Sequence, residues 1–96
     1  METMAFHGLH PGLVLKEELA ARGLSAKALA RKLKVPARRI QEIVAGRRAI
    51  TPETALRIGR GLGTGARLWT AMQSAHDLRQ AELAHGAQVE AEVDAT

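Results

Sequence analysis

Residues 24–48 read Leu-Ser-Ala-Lys-Ala-Leu-Ala-Arg-Lys-Leu-Lys-Val-Pro-Ala-Arg-Arg-Ile-Gln-Glu-Ile-Val-Ala-Gly-Arg-Arg. They hold eight of the chain's fourteen basic residues against one acid, Glu42. Two short apolar-periodic segments meet here at Lys34-Val35-Pro36. In the first, Leu29, Ala30 and Leu33 form one stripe, and Ser25 stands where a capping hydroxyl accepts an otherwise unpaired N–H of the first turn. In the second, the stripe is Ile40, Ile43 and Val44, and Gly46 is the stop. A residue that precedes proline avoids the α region, so Val35 is extended and Pro36 opens the second helix. Two short helices joined by about three residues, the second one basic, predict a helix-turn-helix directed at DNA.

The flanking sequence supplies further helices. Residues 1–10 lack helical periodicity and read as an extended arm. Pro11 opens a first helix at a position where its missing N–H costs nothing. Val14, Leu15 and Leu19 give that helix an apolar face, and Gly23 ends it after Arg22. Thr51-Pro52-Glu53 combines a capping hydroxyl, a proline at the first helical position and an acid near the positive helix end. The helix it starts is expected to reach about Gly61, with Ala55, Leu56 and Leu62 facing inward. Gly63-Thr64-Gly65 then breaks the chain before a fifth helix, where Leu68, Trp69, Met72, Ala75, His76 and Arg79 recur at three- and four-residue steps. Alternating Ala and acids beyond that point predict a flexible acidic tail. The expected organisation is an arm at 1–10, a helix-turn-helix domain with a C-terminal dimerisation helix at 11–83, and a tail at 84–96. The fold class is all-α with five helices.

Composition agrees. The 96 residues suit one small domain, and one Trp, one Phe and no Tyr require an aliphatic core. With no cysteine, disulfides, thiolate zinc sites and Cys nucleophiles are excluded, and a reducing cytoplasm is the expected location. No apolar run approaches the roughly 18 residues of a membrane span, and the N-terminus does not have the pattern of a signal peptide. The formal charge of +4 is modest, but no Lys or Arg follows Arg79 while Glu82, Glu90, Glu92 and Asp94 do. A basic middle therefore sits against an acidic end.

The second helix of the pair is where chemistry is expected. A helix entering a major groove about 12 Å wide needs one face anchored and the other free of bulky apolar groups. With Ile40, Ile43 and Val44 turned inward, Ala37, Arg38, Gln41 and Glu42 fall outward and Arg39 lies on the flank. Arg38 can reach guanine O6 and N7 with both arms of its guanidinium, Gln41 can bond adenine or a phosphate, and Glu42 can accept from cytosine N4. Lys27, Arg31, Lys32, Lys34, Arg47 and Arg48 are candidate phosphate contacts. The plainer alternative is that these cations are solvated helix faces, and that Arg38 and Glu42, spaced i and i+4, pair with each other. The helix-turn-helix setting favours the DNA reading.

Other features carry less. Gly61-x-Gly63-x-Gly65 has no strand before it and no Lys-Ser/Thr after it, so it reads as an inter-helix turn. His7 and His10 lack a nearby third ligand and read as exposed, with no metal expected. Leu68, Trp69 and Met72 form either a core stripe or a dimer contact. No Ser-His-Asp set or paired carboxylates suggest an enzyme, and no cofactor is expected.

The chain from His10-Pro11-Gly12, through Leu15-Lys16-Glu17-Glu18-Leu19 and Gly23-Leu24-Ser25, to Gly46-Arg47-Arg48-Ala49-Ile50-Thr51-Pro52-Glu53-Thr54-Ala55-Leu56-Arg57-Ile58 resembles HigA-type antitoxins. These are phage-repressor-like (Xre) helix-turn-helix proteins. Leu62-Gly63-Thr64, Leu68-Trp69 and Gln73-x-x-His76-Asp77-Leu78 extend the likeness over roughly residues 7–80. The resemblance implies a five-helix homodimer that binds a palindromic operator in its own promoter. It also implies inhibition of a HigB-type toxin, an mRNA-cleaving ribonuclease of the RelE group. By position it implies base reading at Ala37, Arg38 and Glu42, with Arg39 and Gln41 beside them, and phosphate contacts at Ser25, Ala26, Arg47 and Thr51. Two residues depart from the family pattern. Lys34 stands where the turn usually has Gly, and a left-handed Lys costs on the order of 1 kcal/mol. Pro36 replaces the usual Ser or Thr cap. Two other roles fit the same sequence: a repressor with no toxin partner, and a toxin-binding module that has lost DNA binding.

Overall fold

In the computed structural model, which describes residues 8–96, five helices follow one another: α1 (Pro11–Arg22), α2 (Ala26–Leu33), α3 (Ala37–Val44), α4 (Pro52–Leu62) and α5 (Arg67–Glu92). No strand occurs among the described residues. Most of the predicted arm, including His7, lies outside them. The first four helices match their predicted bounds closely because each boundary is signalled locally. Ser25 and Thr51 accept N–H groups of Ala28 and Thr54 through their hydroxyls, and Gly23 and Gly63 close α1 and α4 in the left-handed region.

One core unites the helices. Leu15 and Leu19 of α1, Leu29 and Leu33 of α2, Ile40 and Ile43 of α3, Ile58 of α4, and Trp69 and Met72 of α5 are all buried. Burying a side chain of this size stabilises the fold by roughly 1.5–3 kcal/mol. Two glycines permit backbones to meet. A Cβ on Gly12 would sit 1.8 Å from the Ile43 carbonyl oxygen, so the start of α1 rests directly on the end of α3. A Cβ on Gly59 would lie 2.3 Å from the Gly65 backbone, which lets α5 turn back tightly over α4.

Three sequence expectations need correction. Leu56 is not inward but 64% exposed, because the buried stripe of α4 is Ala55, Ile58, Gly59 and Leu62. Successive helical residues are about 100° apart, so Leu56 points away from that stripe. Trp69 and Met72 are 0% exposed within the single chain and Leu68 is half-buried against the same core. Two of the three residues assigned to dimerisation thus have no surface to offer a second copy. Finally, α5 continues as helix to Glu92, where a flexible tail from residue 84 was expected. Ala, Glu, Gln and Leu are strong helix formers, and Gln88 donates to Glu92 one turn on, so this segment is helical without a buried face.

His10 also departs from its reading as an exposed arm residue. Its Nδ1 accepts the Gly12 N–H at 2.9 Å and so caps α1. Its ring meets the His76 ring edge-on at 5.0 Å, and His76 Nδ1 donates to the Gly8 carbonyl at 2.8 Å. Burial, and then the neighbouring His76, hold the His10 pKa below its usual 6.5, against the opposing pull of the Arg48 carbonyl and Asp77. Only neutral His10 can accept at Nδ1. Because the folded pKa is depressed, the stability that His10 contributes is complete above about pH 6.5 and is lost as pH falls through the folded value. Thermal melts between pH 5 and 8 should therefore show a midpoint that falls on acidification, and His10→Asn, which keeps a capping acceptor, should flatten part of that dependence. Identical pH profiles for the two proteins would refute this role.

Candidate nucleic-acid interface

The turn between α2 and α3 sets the aim of α3. Lys34 adopts φ 63°, ψ 42°, and is the one non-glycine residue with positive φ among those described. The intrinsic cost of that conformation is offset by bonds around it. Val35 N–H reaches the Ala30 carbonyl at 3.0 Å, Lys34 N–H reaches Arg31, and Arg57 Nη1 donates to the Leu33 carbonyl at 2.9 Å from α4. Two successive carbonyl bonds of this kind form the usual left-handed helix stop, and a basic side chain on the last carbonyl reinforces it. Lysine thus occupies a glycine position with its geometry retained. Pro36 takes an extended conformation as the N-cap of α3 and offers no side-chain bond, as its chemistry requires.

From this turn α3 presents its polar face. Arg38 projects into solvent, with 83% of its side chain exposed, and Gln41 is also exposed. Ala37 is half-buried and packs on the core. Arg39 does not follow Arg38 outward: its Nη1 donates to Glu53 Oε1 at 3.4 Å, and Arg57 Nε donates to the other oxygen of the same carboxylate. Glu42 is the acceptor for two arginines. Arg38 Nε approaches Oε2 and Arg48 Nε approaches Oε1, each at 2.8 Å. These two hydrogen bonds hold the Glu42 carboxyl below the ordinary carboxylate range, and the pair raises Arg38 in turn.

The remaining sequence-predicted residues lie on α2, at its two ends and in the loop from α3 to α4. Lys27, Arg31, Lys34 and Arg47 are exposed and make no ion pair among the described residues. Ser25 and Thr51 stand at the starts of α2 and α4, with Ala26 half-buried just inside the former. Four supporting contacts were not legible beforehand. Gln73 is buried, accepts the Ile50 N–H at 2.8 Å and donates to Asp77 at 2.9 Å, so α5 fixes the loop that leads from α3 to α4. Arg57 on Leu33, Arg48 on Glu42 and His10 with His76 are the others. Apart from the Gln73–Asp77 bond, which has helical i, i+4 spacing, each joins residues far apart or differently spaced from a helical repeat, so no periodicity announces them.

A short basic helix, anchored by fully buried Ile40 and Ile43 and held at a fixed angle by a bonded turn, defines a helix-turn-helix domain. The helix-turn-helix family pattern matches residues 15–69. Virulence-associated protein I of Dichelobacter nodosus is 52% identical over 75 residues, 77% of this chain and 69% of that protein. Antitoxin HigA of Pseudomonas aeruginosa, solved with the higBA promoter, matches with a TM-score of 0.88 at 40% identity, covering 91% of this chain and 96% of that one. An addiction module antidote protein of the HigA family from Coxiella burnetii gives a TM-score of 0.88 at 37% identity, over 94% and 99% of the two chains. The chain belongs to the helix-turn-helix family, in its HigA-type, phage-repressor-like branch. No helix among the described residues is long and apolar enough to cross a membrane.

Proposed function

We propose that this protein is a DNA-binding antitoxin and autorepressor, which binds a palindromic operator as a dimer and neutralises a HigB/RelE-like mRNA endonuclease. The observation that carries the reading is the outward face of α3, where Arg38 and Gln41 project from a helix whose opposite side is locked in the core. The likeness to an antitoxin solved with its promoter supports the same reading. In a dimer, two copies of α3 would enter successive major grooves about 34 Å apart. Arg38 is assigned to a guanine, Gln41 to the neighbouring base, and Lys27, Arg31, Lys34, Arg47 and the starts of α2 and α4 to phosphates.

Dimerisation is assigned to the part of α5 beyond the core. Leu78, Ala81, His85 and Val89 fall on one side of it, and Leu78 and Val89 are exposed despite their apolar character. A second copy laid against this stripe would bury it. Sedimentation equilibrium should give a dimer for the unaltered chain and a folded monomer for Leu78→Glu combined with Val89→Glu. A double variant that remains dimeric would move the interface elsewhere. The toxin role is tested at the adjoining reading frame. Its product, expressed alone, should arrest growth, and co-expression of this chain should relieve the arrest and yield a complex that purifies intact. A neighbour without that effect would leave a stand-alone repressor.

A further inference from the structure

We infer that Glu42 reads no base and that, held from behind by Arg48, it is a positioning residue that fixes Arg38 for guanine. The inference rests on the DNA-binding reading and deepens it, because it moves Glu42 out of the set of base readers and Arg48 out of the set of phosphate contacts.

The geometry assigns the roles. Each oxygen of Glu42 already accepts a charge-assisted bond, Oε2 from Arg38 and Oε1 from Arg48, both at 2.8 Å. Bonds of this kind are about twice as strong as neutral ones, so although each oxygen keeps a second lone pair, a cytosine amino group would meet a carboxylate already neutralised by two arginines. The Glu42 side chain is 21% exposed, against 83% for that of Arg38. Arg38 is engaged through Nε alone, which leaves both terminal nitrogens free. Those two nitrogens form the edge that can address guanine O6 and N7 together.

Arg48 makes this more than an exposed i,i+4 pair. A lone surface pair holds two long side chains in one geometry only weakly, because their rotamer freedom opposes it. Arg48 arrives from outside α3, six residues beyond Glu42, and grips the carboxylate from its other oxygen. With Glu42 already fixed, holding Arg38 sacrifices less freedom. The cluster also carries one net positive charge, so the acid does not face the phosphates uncompensated.

Selection from a library of randomised duplexes, with sequencing of the bound fraction, tests the inference on five proteins: the unaltered chain, Arg38→Ala, Arg48→Ala, Glu42→Ala and the variant that combines the last two. Melting curves confirm that each is folded. In the unaltered chain, one position per half-site should prefer guanine, and Arg38→Ala should abolish that preference. Arg48→Ala and Glu42→Ala should each weaken the preference at that same position by about 3- to 10-fold. The double variant should lose no more than Glu42→Ala alone, since Arg48 acts through Glu42. Two binding patterns would reassign the residues and so overturn the clamp. One is a uniform loss of affinity in Arg48→Ala, with the slope of log K against log salt flatter by about 0.9 per subunit, which marks a phosphate contact. The other is a cytosine preference that only Glu42→Ala removes. An unaltered chain that binds but selects no sequence overturns base reading and the clamp with it, whereas intact guanine selection in Arg48→Ala, Glu42→Ala and the double variant overturns the clamp alone.

Discussion

Trp69→Ala should destabilise the protein by about 3–5 kcal/mol, the usual range for removing a fully buried large aromatic side chain. Trp69 has no exposed surface, and its Nε1 donates to Thr64 Oγ1 at 2.8 Å. The substitution would therefore open a cavity where α5 meets the core and release the Gly63–Gly65 turn at the same time. A domain of this size has only about 5–15 kcal/mol of stability in total. Urea unfolding should show a much lower midpoint or no cooperative transition. A loss below about 1 kcal/mol would mean that Trp69 is not the keystone of the α4–α5 junction, and would revive its assignment to a dimer surface.

Arg38→Ala should cost about 1–3 kcal/mol on the preferred operator and much less on unrelated DNA, as expected for loss of a two-bonded arginine–guanine contact. The side chain is almost wholly exposed and borrows nothing from the core, so the melting temperature should hardly change. Fluorescence anisotropy with operator and scrambled duplexes separates the two effects. Equal losses on both would demote Arg38 to a phosphate contact.

The first four helices were legible in the sequence because their limits are written in single residues: Ser25 and Thr51 as caps, Pro11 and Pro52 at helix starts, Gly23 and Gly63 as stops. The outward face of α3 was legible for a similar reason, since Ile40 and Ile43 fix which side is buried. What escaped depends on contacts between distant residues. Leu56 looked inward because it adjoins Ala55, and only the packing of Ile58 and Leu62 decides between them. Trp69 and Met72 looked available to a partner because a four-helix core seemed complete without α5. The structure instead uses α5 to close that core and, through Gln73 on Ile50, to steady the loop after α3. The length of α5 was misread because acids and alanines without an apolar face suggest disorder, whereas their helix propensity is high. The helical spacing puts Arg38 on the outer face and Arg39 on the flank, but only the position of Glu53 on α4 shows that Arg39 is tied to a neighbouring helix.

The central claim is that α3 and the cations around it bind an operator. Its most direct test is the affinity for the DNA upstream of the protein's own gene, measured against a scrambled duplex at salt concentrations from roughly 50 to 200 mM. With about four phosphates neutralised per half-site, the account predicts a slope of log K against log salt near −7 for a dimer, and at least a thousandfold preference for the operator. A slope near zero, or equal affinity for both duplexes, would contradict it.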